Sequence, residues 1–445
     1  MNIRTDAIYV IGHKNPDTDA IASAMGYAWL RQNRDEETTI AARAGSINAQ
    51  TKFALDYFGL QPPFLLEDAA PRFSLIAHRV TPVHPARPLS AAWQLHASTE
   101  RAAPIVDQNN HPVGMVTGQS VFEFLSMRLD MLDAPFKELI RVPCGDACDT
   151  GAPKFLASDR ISDHRGRILR TNREDFWVVN SDGGYEGTCS RVDMLQPPKL
   201  RLILTDHNEV GQAVNGLNEA ELIEVLDHHR LATVSTTLPI AFHIDAVGSC
   251  STLVAERMRL ARLTPPEGIA GMLLSGLLSD TLHFKSPTTT ARDKASATWL
   301  SWIAFGVDGA DKKLDEYAAQ LLAAGADLSG RSAKDLVSAD FKEFEAGKIK
   351  FGVAQVEVTN FQSLTERIGE VRKALNDLRE QRGLEFAALM VTDIVYSNSL
   401  LVCVGETRYL ERMPFSRKDD NIWDMPGVVS RKKQLLPMLL GILQG

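Results

Sequence analysis

Histidine and aspartate recur in this 445-residue chain in a pattern that suits the binding of divalent metal ions. His13, Asp17 and Asp19 fall together in "GHKNPDTDA". Asp206 follows an apolar run in "LRLILTDHNE", Asp227, His228 and His229 end another in "LIEVLDHHR", and Asp280 lies inside the apolar pattern "GMLLSGLLSDTLHF". An acidic group on an apolar helix is costly to bury unless it is paired or metal-bound. Each segment alone has a plainer reading, since Asp17 or Thr18 would serve as a helix cap. Four such segments together make independent capping the weaker explanation. The donors exceed what one ion needs and fit a pair of divalent ions about 3.5–4 Å apart that share a carboxylate and a water. Added histidines move the metal preference from Mg2+ or Ca2+ toward Mn2+, Co2+, Fe2+ or Zn2+. Four aspartates balance two dications, so a highly anionic substrate needs positive groups from elsewhere.

Those groups are available in "GVVSRKKQLLP", where Ser430, Arg431, Lys432 and Lys433 stand at the start of the last helical pattern. Arg grips phosphate oxygens with two prongs, Lys adds point charge, and a helix N-terminus adds N–H donors. Lys342, in "SADFKEFEAG", is a weaker candidate of the same kind. A solvated basic helix end is the alternative; the acidic constellation elsewhere in the chain favours a site in a cleft between domains.

The elements that must position these residues alternate. "AIYVIGH", "DAIASAMGYAWLRQ", "TTIAARAG" and "NAQTKFALDYFGL" read strand, helix, strand, helix, and a second series runs from "LRLILTDHNE" through "IAFHIDAVG" into "CSTLVAERMRLARL" and "GIAGMLLSGLLSDTLHF". Alternation of this kind predicts a mainly parallel sheet covered by helices, with ligand sites at the carboxyl edge of its strands. Residues 71–198 interrupt it with an internal repeat: a strand ending in Val, a polar turn ("NNHP" or "SDGG"), then "GxxT" or "GxxS" and a helix. The second copy shows no clear full-length preceding helix. After a possible linker in "AAGADLSGRSAKDL", strand "IKFGVAQVEVT", one long helix "FQSLTERIGEVRKALNDLREQRG" and further strands predict an α+β domain. The expected organisation is 1–70 and 199–328 as one interrupted α/β domain, 71–198 as the insert, and 329–445 as the last domain.

Composition fits a folded soluble chain, 44% hydrophobic and 23% charged, with no apolar run near the roughly 20 residues that cross a bilayer and no secretory signal, so a cytoplasmic location is expected. A net charge of -8 argues against nucleic-acid binding. The cysteines Cys144, Cys148, Cys189, Cys250 and Cys403 are scattered, which suits a reducing compartment, and the first two lack partners for a zinc site.

"GHKNPDTDAI", "TDHNE", "LDHHR", "LLSDTLHFKSPT" and "SRKKQ", in this order, resemble the signatures of the family II inorganic pyrophosphatases of the DHH phosphoesterase superfamily, and they span the chain outside the insert. The insert resembles a pair of CBS modules. The resemblance implies a parallel-sheet DHH domain, a DHHA2-type C-terminal domain and an active site in the cleft between them. It implies that His13, Asp17 and Asp206 bind one metal and that Asp19, Asp206, His228 and Asp280 bind the other. It also implies Mn2+ or Co2+ as cofactor, two ions per active site, Mg2+ arriving with pyrophosphate, and phosphate contacts from His229, Lys342, Arg431 and Lys432. His229 is the expected proton donor to the leaving phosphate, or else a group orienting His228. CBS modules commonly carry "GxxTxxD" or "GxxSxxD" for nucleotide binding; the second copy keeps Ser190 and Asp193, whereas the first keeps Thr117 and has Ser120 in place of the aspartate. One adenine-nucleotide site at most, and a homodimer, are therefore expected.

Two other readings compete. A DHH enzyme acting on a nucleotide or short oligonucleotide would keep the metal site but carry glycine-rich motifs in place of "SRKKQ". A nucleotide sensor without activity would have lost ligands, and every expected ligand is present.

Overall fold

The computed structural model describes residues 3–128, 135–231, 236, 238–326, 332–338, 340–358, 361–393 and 398–444. Its first layer is a six-stranded, wholly parallel sheet, in the order Ala241–Ile244, Glu221–Asp227, Arg201–Thr205, Ile8–Ile11, Thr39–Arg43, Phe64–Leu65. Strand alternation divides its buried side chains between two cores. Ile8, Val10, Ile203 and Leu226 face one core with Ile21, Leu253, Leu273 and Leu277. Tyr9, Ile11, Leu202, Leu204 and Val225 face the other with Leu66 and Leu217. Being covered on both faces, the strands read as nearly unbroken apolar runs.

Helix Thr18–Arg34 begins at Asp17, whose carboxylate accepts from the Ala20 amide. Its small residues let helix Glu267–Asp280 come close: a Cβ on Gly26 would lie 2.6 Å from Leu273. Asp280 ends that second helix rather than lying within it, as the apolar pattern suggested. Leu282, His283 and Phe284 then take three consecutive left-handed conformations, which stop the helix and cost backbone energy.

The insert contains the antiparallel pair Ala103–Val106 and Pro112–Val116, and a three-stranded group in the order Lys154–Leu156, Asp175–Val179, Tyr185–Ser190. Helix Ile161–Arg170 precedes the last two strands, so the second repeat does have its leading helix. The polar sequence "ISDHRGRILR" hides it, because only Ile161 and Ile168 reach the core.

A mixed six-stranded sheet completes the chain, in the order Lys342–Ala346, Ile349–Val358, Phe386–Asp393, Asn398–Gly405, Ile422–Pro426, Ser416–Asp419. Only its second and third strands run parallel. Val371 and Leu375 pack on one face, Leu435 and Leu439 on the other. The expected single long helix is two, Gln362–Glu366 and Ile368–Arg382, broken at Arg367. The stretch read as a linker is helical at both described ends, Ala310–Ala326 and Ala333–Ser338. The expected boundary at 328/329 lies outside the described residues. Among the described residues, no helix is long and apolar enough to cross a membrane.

Candidate metal centre

The carboxyl edge of the parallel sheet collects the sequence-predicted donors. His13 follows strand Ile8–Ile11, Asp206 follows Arg201–Thr205, and His228 and His229 follow Glu221–Asp227. Asp17 and Asp19 come from the start of one helix, and Asp280 from the end of another. His13, Asp17 and Asp206 form one group and Asp19, Asp206, His228 and Asp280 a second, each with donor atoms within 4.8 Å of one another.

Asp206 belongs to both groups, and to a third, overlapping set with Asp227, His228 and His229, and it presents one oxygen to each of the first two. Its Oδ2 lies 3.6 Å from His13 Nε2 and its Oδ1 lies 3.2 Å from His228 Nε2. His13 Nε2 is also 3.4 Å from Asp17 Oδ2, and His228 Nε2 is 3.6 Å from Asp280 Oδ2. Asp206 holds a left-handed backbone conformation, φ 62°, at the strand end; aspartate tolerates this better than most residues. Asp17 therefore combines both readings of its sequence position: one oxygen caps the helix while the other faces His13.

The chemistry of these donors fits divalent ions. Both carboxylate oxygens of Asp206, and Nε2 of His228, are buried without a hydrogen-bond partner among the described residues. Such orphaned buried groups are costly unless something else satisfies them. His228 Nδ1 lies 3.1 Å from the Val247 carbonyl, so Nδ1 holds the proton and the Nε2 lone pair is left for a ligand role. Burial, followed by repulsion from Asp19 and Asp17, raises the carboxyls of Asp206 and Asp280 well above the usual range. Burial pulls the His13 ring down, but attraction to Asp17, Asp206 and Asp19 outweighs it and holds the ring at about 9. A dication would relieve the carboxylate repulsion and displace the imidazole proton.

Asp227 is fully buried and works beside these donors. Burial raises its carboxyl, but contacts with His229 and Asn208 overcome that and hold it at about 2. It receives the amides of His228 and His229, His229 Nδ1 at 2.9 Å and Asn208 Nδ2 at 2.5 Å. His229 is half exposed, with Nε2 left outside that contact. The sequence also hid His207, wholly buried between Asp206 and Asn208, which burial lowers to about 4.

Lys342 opens the first strand of the second sheet, and the other basic candidates follow that sheet's strands. Ser430 caps a wide π-type turn, Arg431–Leu435. Buried Arg431 bonds the carbonyls of Val353, at 3.1 Å, and Asp340, and pairs with the Asp340 carboxylate at 2.8 Å. Lys342 Nζ lies 3.6 Å from Asp340. Desolvation, then the charges of Arg230 and Lys342, lower the Lys432 ammonium, and Glu209 acts on it in the opposite sense. Desolvation, then Asp340 and Asp17, raise the Glu357 carboxyl to about 7. Lys432 and Glu357 thus feel charges carried by the segments around the first sheet, although among the described residues neither is hydrogen-bonded to the metal donors.

In the insert, Thr117 and Ser190 cap helices, with Ser120 and Asp193 completing capping boxes. Thr117 lines a cavity of about 210 Å³ with Glu123, Asp149, Arg173, Glu174 and Asp175. Ser190 and Asp193 do not line it. Asp193 lies 3.2 Å from His78 and 3.5 Å from Arg101.

Residues 7–277 match the model of the DHH family, N-terminal domain, and residues 319–442 that of the DHHA2 domain. The chain is 35% identical to a Bacillus cereus protein named "Probable manganese-dependent inorganic pyrophosphatase", over 61% of this chain and 84% of that one. It is 28% identical to a cobalt-dependent inorganic pyrophosphatase of Clostridium perfringens, over 98% of each chain. A crystal structure of a Methanococcus jannaschii protein, described as a candidate family II inorganic pyrophosphatase, superposes with a TM-score of 0.57 at 24% identity, covering 98% of this chain and 100% of that one.

Proposed function

The chain belongs to the DHH family and, within it, to the metal-dependent inorganic pyrophosphatases that carry a DHHA2 domain, and on that premise we infer that it hydrolyses inorganic pyrophosphate to two phosphates. Its cofactor is Mn2+ or Co2+. The observation that carries this to particular residues is the divided carboxylate of Asp206, one oxygen toward His13 and the other toward His228.

On this reading His13, Asp17 and Asp206 would hold one ion, and Asp19, Asp206, His228 and Asp280 the other. Two such ions would supply Lewis acidity toward phosphoryl oxygens and toward a water, and Mg2+ would accompany the anionic substrate. Arg431, Lys342 and Lys432 bind the phosphoryl oxygens and offset the charge that develops on them. Asp227 fixes the His229 ring through Nδ1, which leaves Nε2 to carry a proton to the departing phosphate. The shared electrostatics of Lys432 with Arg230 and of Glu357 with Asp17 support an active site in a cleft between residues 1–70 with 199–328 and residues 329–445. Replacing the shared carboxylate, Asp206→Asn, is the test: manganese stoichiometry should fall from two to one or none and phosphate release from pyrophosphate should stop. Full release with two ions bound would refute the assignment.

Residues 71–198 serve, in this reading, as a CBS pair that tunes the enzyme through an adenine nucleotide. Ser190 and Asp193 are the favoured place, because the Arg101 guanidinium, 3.5 Å from Asp193, gives a phosphate a positive neighbour there. The cavity at Thr117 is lined by four carboxylates against one arginine, an excess of negative charge that disfavours a phosphate. Titration with AMP, wild type against Arg101→Ala, tests this. A cytoplasmic homodimer completes the proposal.

A further inference from the structure

The carboxylate of Asp19 is gripped by the opening turn of helix Cys250–Leu260, which lies more than two hundred positions further along the chain. Its Oδ1 accepts from Ser249 Oγ at 2.8 Å, the Ser251 amide at 3.0 Å and Ser251 Oγ at 2.5 Å. Its Oδ2 accepts from the Cys250 amide at 2.7 Å. Asp19, Ser249 and Ser251 are all fully buried. Oδ1 is saturated by three donors, whereas Oδ2, with one, keeps a lone pair to give.

The turn is itself anchored from behind. Asp293, also fully buried, accepts from the Gly248 amide at 3.0 and 2.9 Å and from Thr252 Oγ1 at 2.7 Å, and it is fixed in turn by Thr290. Two glycines leave room for the arrangement. A Cβ on Gly248 would lie 2.7 Å from Thr281 and 2.9 Å from Asp293, and one on Gly276 would lie 2.6 Å from Ser251 Oγ and 2.7 Å from Asp19 Oδ1. Asp19 is thus held from three directions, by the helix that bears it, by the Ser249–Ser251 turn and by helix Glu267–Asp280.

We propose that Ser249 and Ser251 are positioning residues that set the affinity of the ion held by Asp19, Asp206, His228 and Asp280, and that they act on this ion and not on its neighbour. This rests on the two-ion reading above. The hydroxyls fix which Asp19 oxygen is free and withdraw charge from the carboxylate, so they govern both the aim and the donor strength of one ligand. Asp19 belongs to the second donor group only, and no hydroxyl of the turn bonds His13 or Asp17 among the described residues.

The test is calorimetric titration of Mn2+ into the chelator-stripped full chain, comparing wild type with Ser251→Ala and Ser249→Ala. Wild type should bind two ions. Each variant should still bind two, with one affinity weakened by about 10–100-fold and the other unmoved, and with the larger loss at Ser251. In a His13→Ala background, where the first group is broken, the remaining isotherm should carry the same shift. A lowered melting temperature with both affinities intact would show a merely structural role and overturn the proposal, as would an equal fall in both affinities. A wild-type chain that binds fewer than two ions would defeat the two-ion reading and this inference with it.

Discussion

Among the individual residues, Asp206 and His229 are the most informative. The Asp206 carboxylate is buried, strained at its backbone and unsatisfied by donors among the described residues, a combination that persists only where function repays it. His229→Gln removes the imidazole that Asp227 orients but leaves His13, Asp17, Asp19, Asp206, His228 and Asp280 in place. It should lower kcat by about 10²–10⁴-fold while manganese stoichiometry stays at two, which stopped-flow phosphate detection and metal titration together would check. Unchanged kcat would remove His229 from proton transfer. The pH response follows from the carboxyls of Asp206 and Asp280, which burial and neighbouring acids raise. Their folded-state values lie above the unfolded one, so in metal-free protein they cost nothing at low pH and destabilise progressively as pH rises and they ionise. Manganese should therefore raise the melting temperature more at about pH 7.5 than at roughly pH 5, a trend that differential scanning calorimetry would follow.

At the level of elements, the parallel sheet brings distant donors to one edge, and close packing behind it keeps them there. Gly248→Ala would press a methyl group against Thr281 and Asp293 at the root of the turn that holds Asp19. It should destabilise the chain by about 1–3 kcal/mol in urea unfolding; an unchanged midpoint would mean the turn relaxes freely. The donors themselves were legible in the sequence because strand-terminal acids and imidazoles interrupt apolar runs. Their mutual arrangement was legible only through the family resemblance. Ser249, Ser251 and Asp293 gave no signal, since serine and aspartate near helix starts are ordinary caps and their partner Asp19 is remote in sequence. Helix Ile161–Arg170 was missed because just two of its residues enter the core, and the break at Arg367 because the polar pattern runs through it. The left-handed turn after Asp280 was hidden for a related reason: Leu, His and Phe carry no turn chemistry, and the surrounding structure imposes their conformation.

For the whole molecule, the division of labour is electrostatic. One α/β unit concentrates carboxylates that repel one another, while the C-terminal unit carries Lys342, Arg431 and Lys432, the cations proposed to meet an anionic substrate. We infer that this assembly hydrolyses pyrophosphate through residues that bind manganese or cobalt. The most direct test is phosphate release from pyrophosphate by chelator-stripped protein in Mg2+, with Mn2+ withheld or restored. Little release is expected without Mn2+, and release on its return that Asp206→Asn does not recover. Folded protein that takes up two Mn2+ ions and still leaves pyrophosphate intact would contradict it.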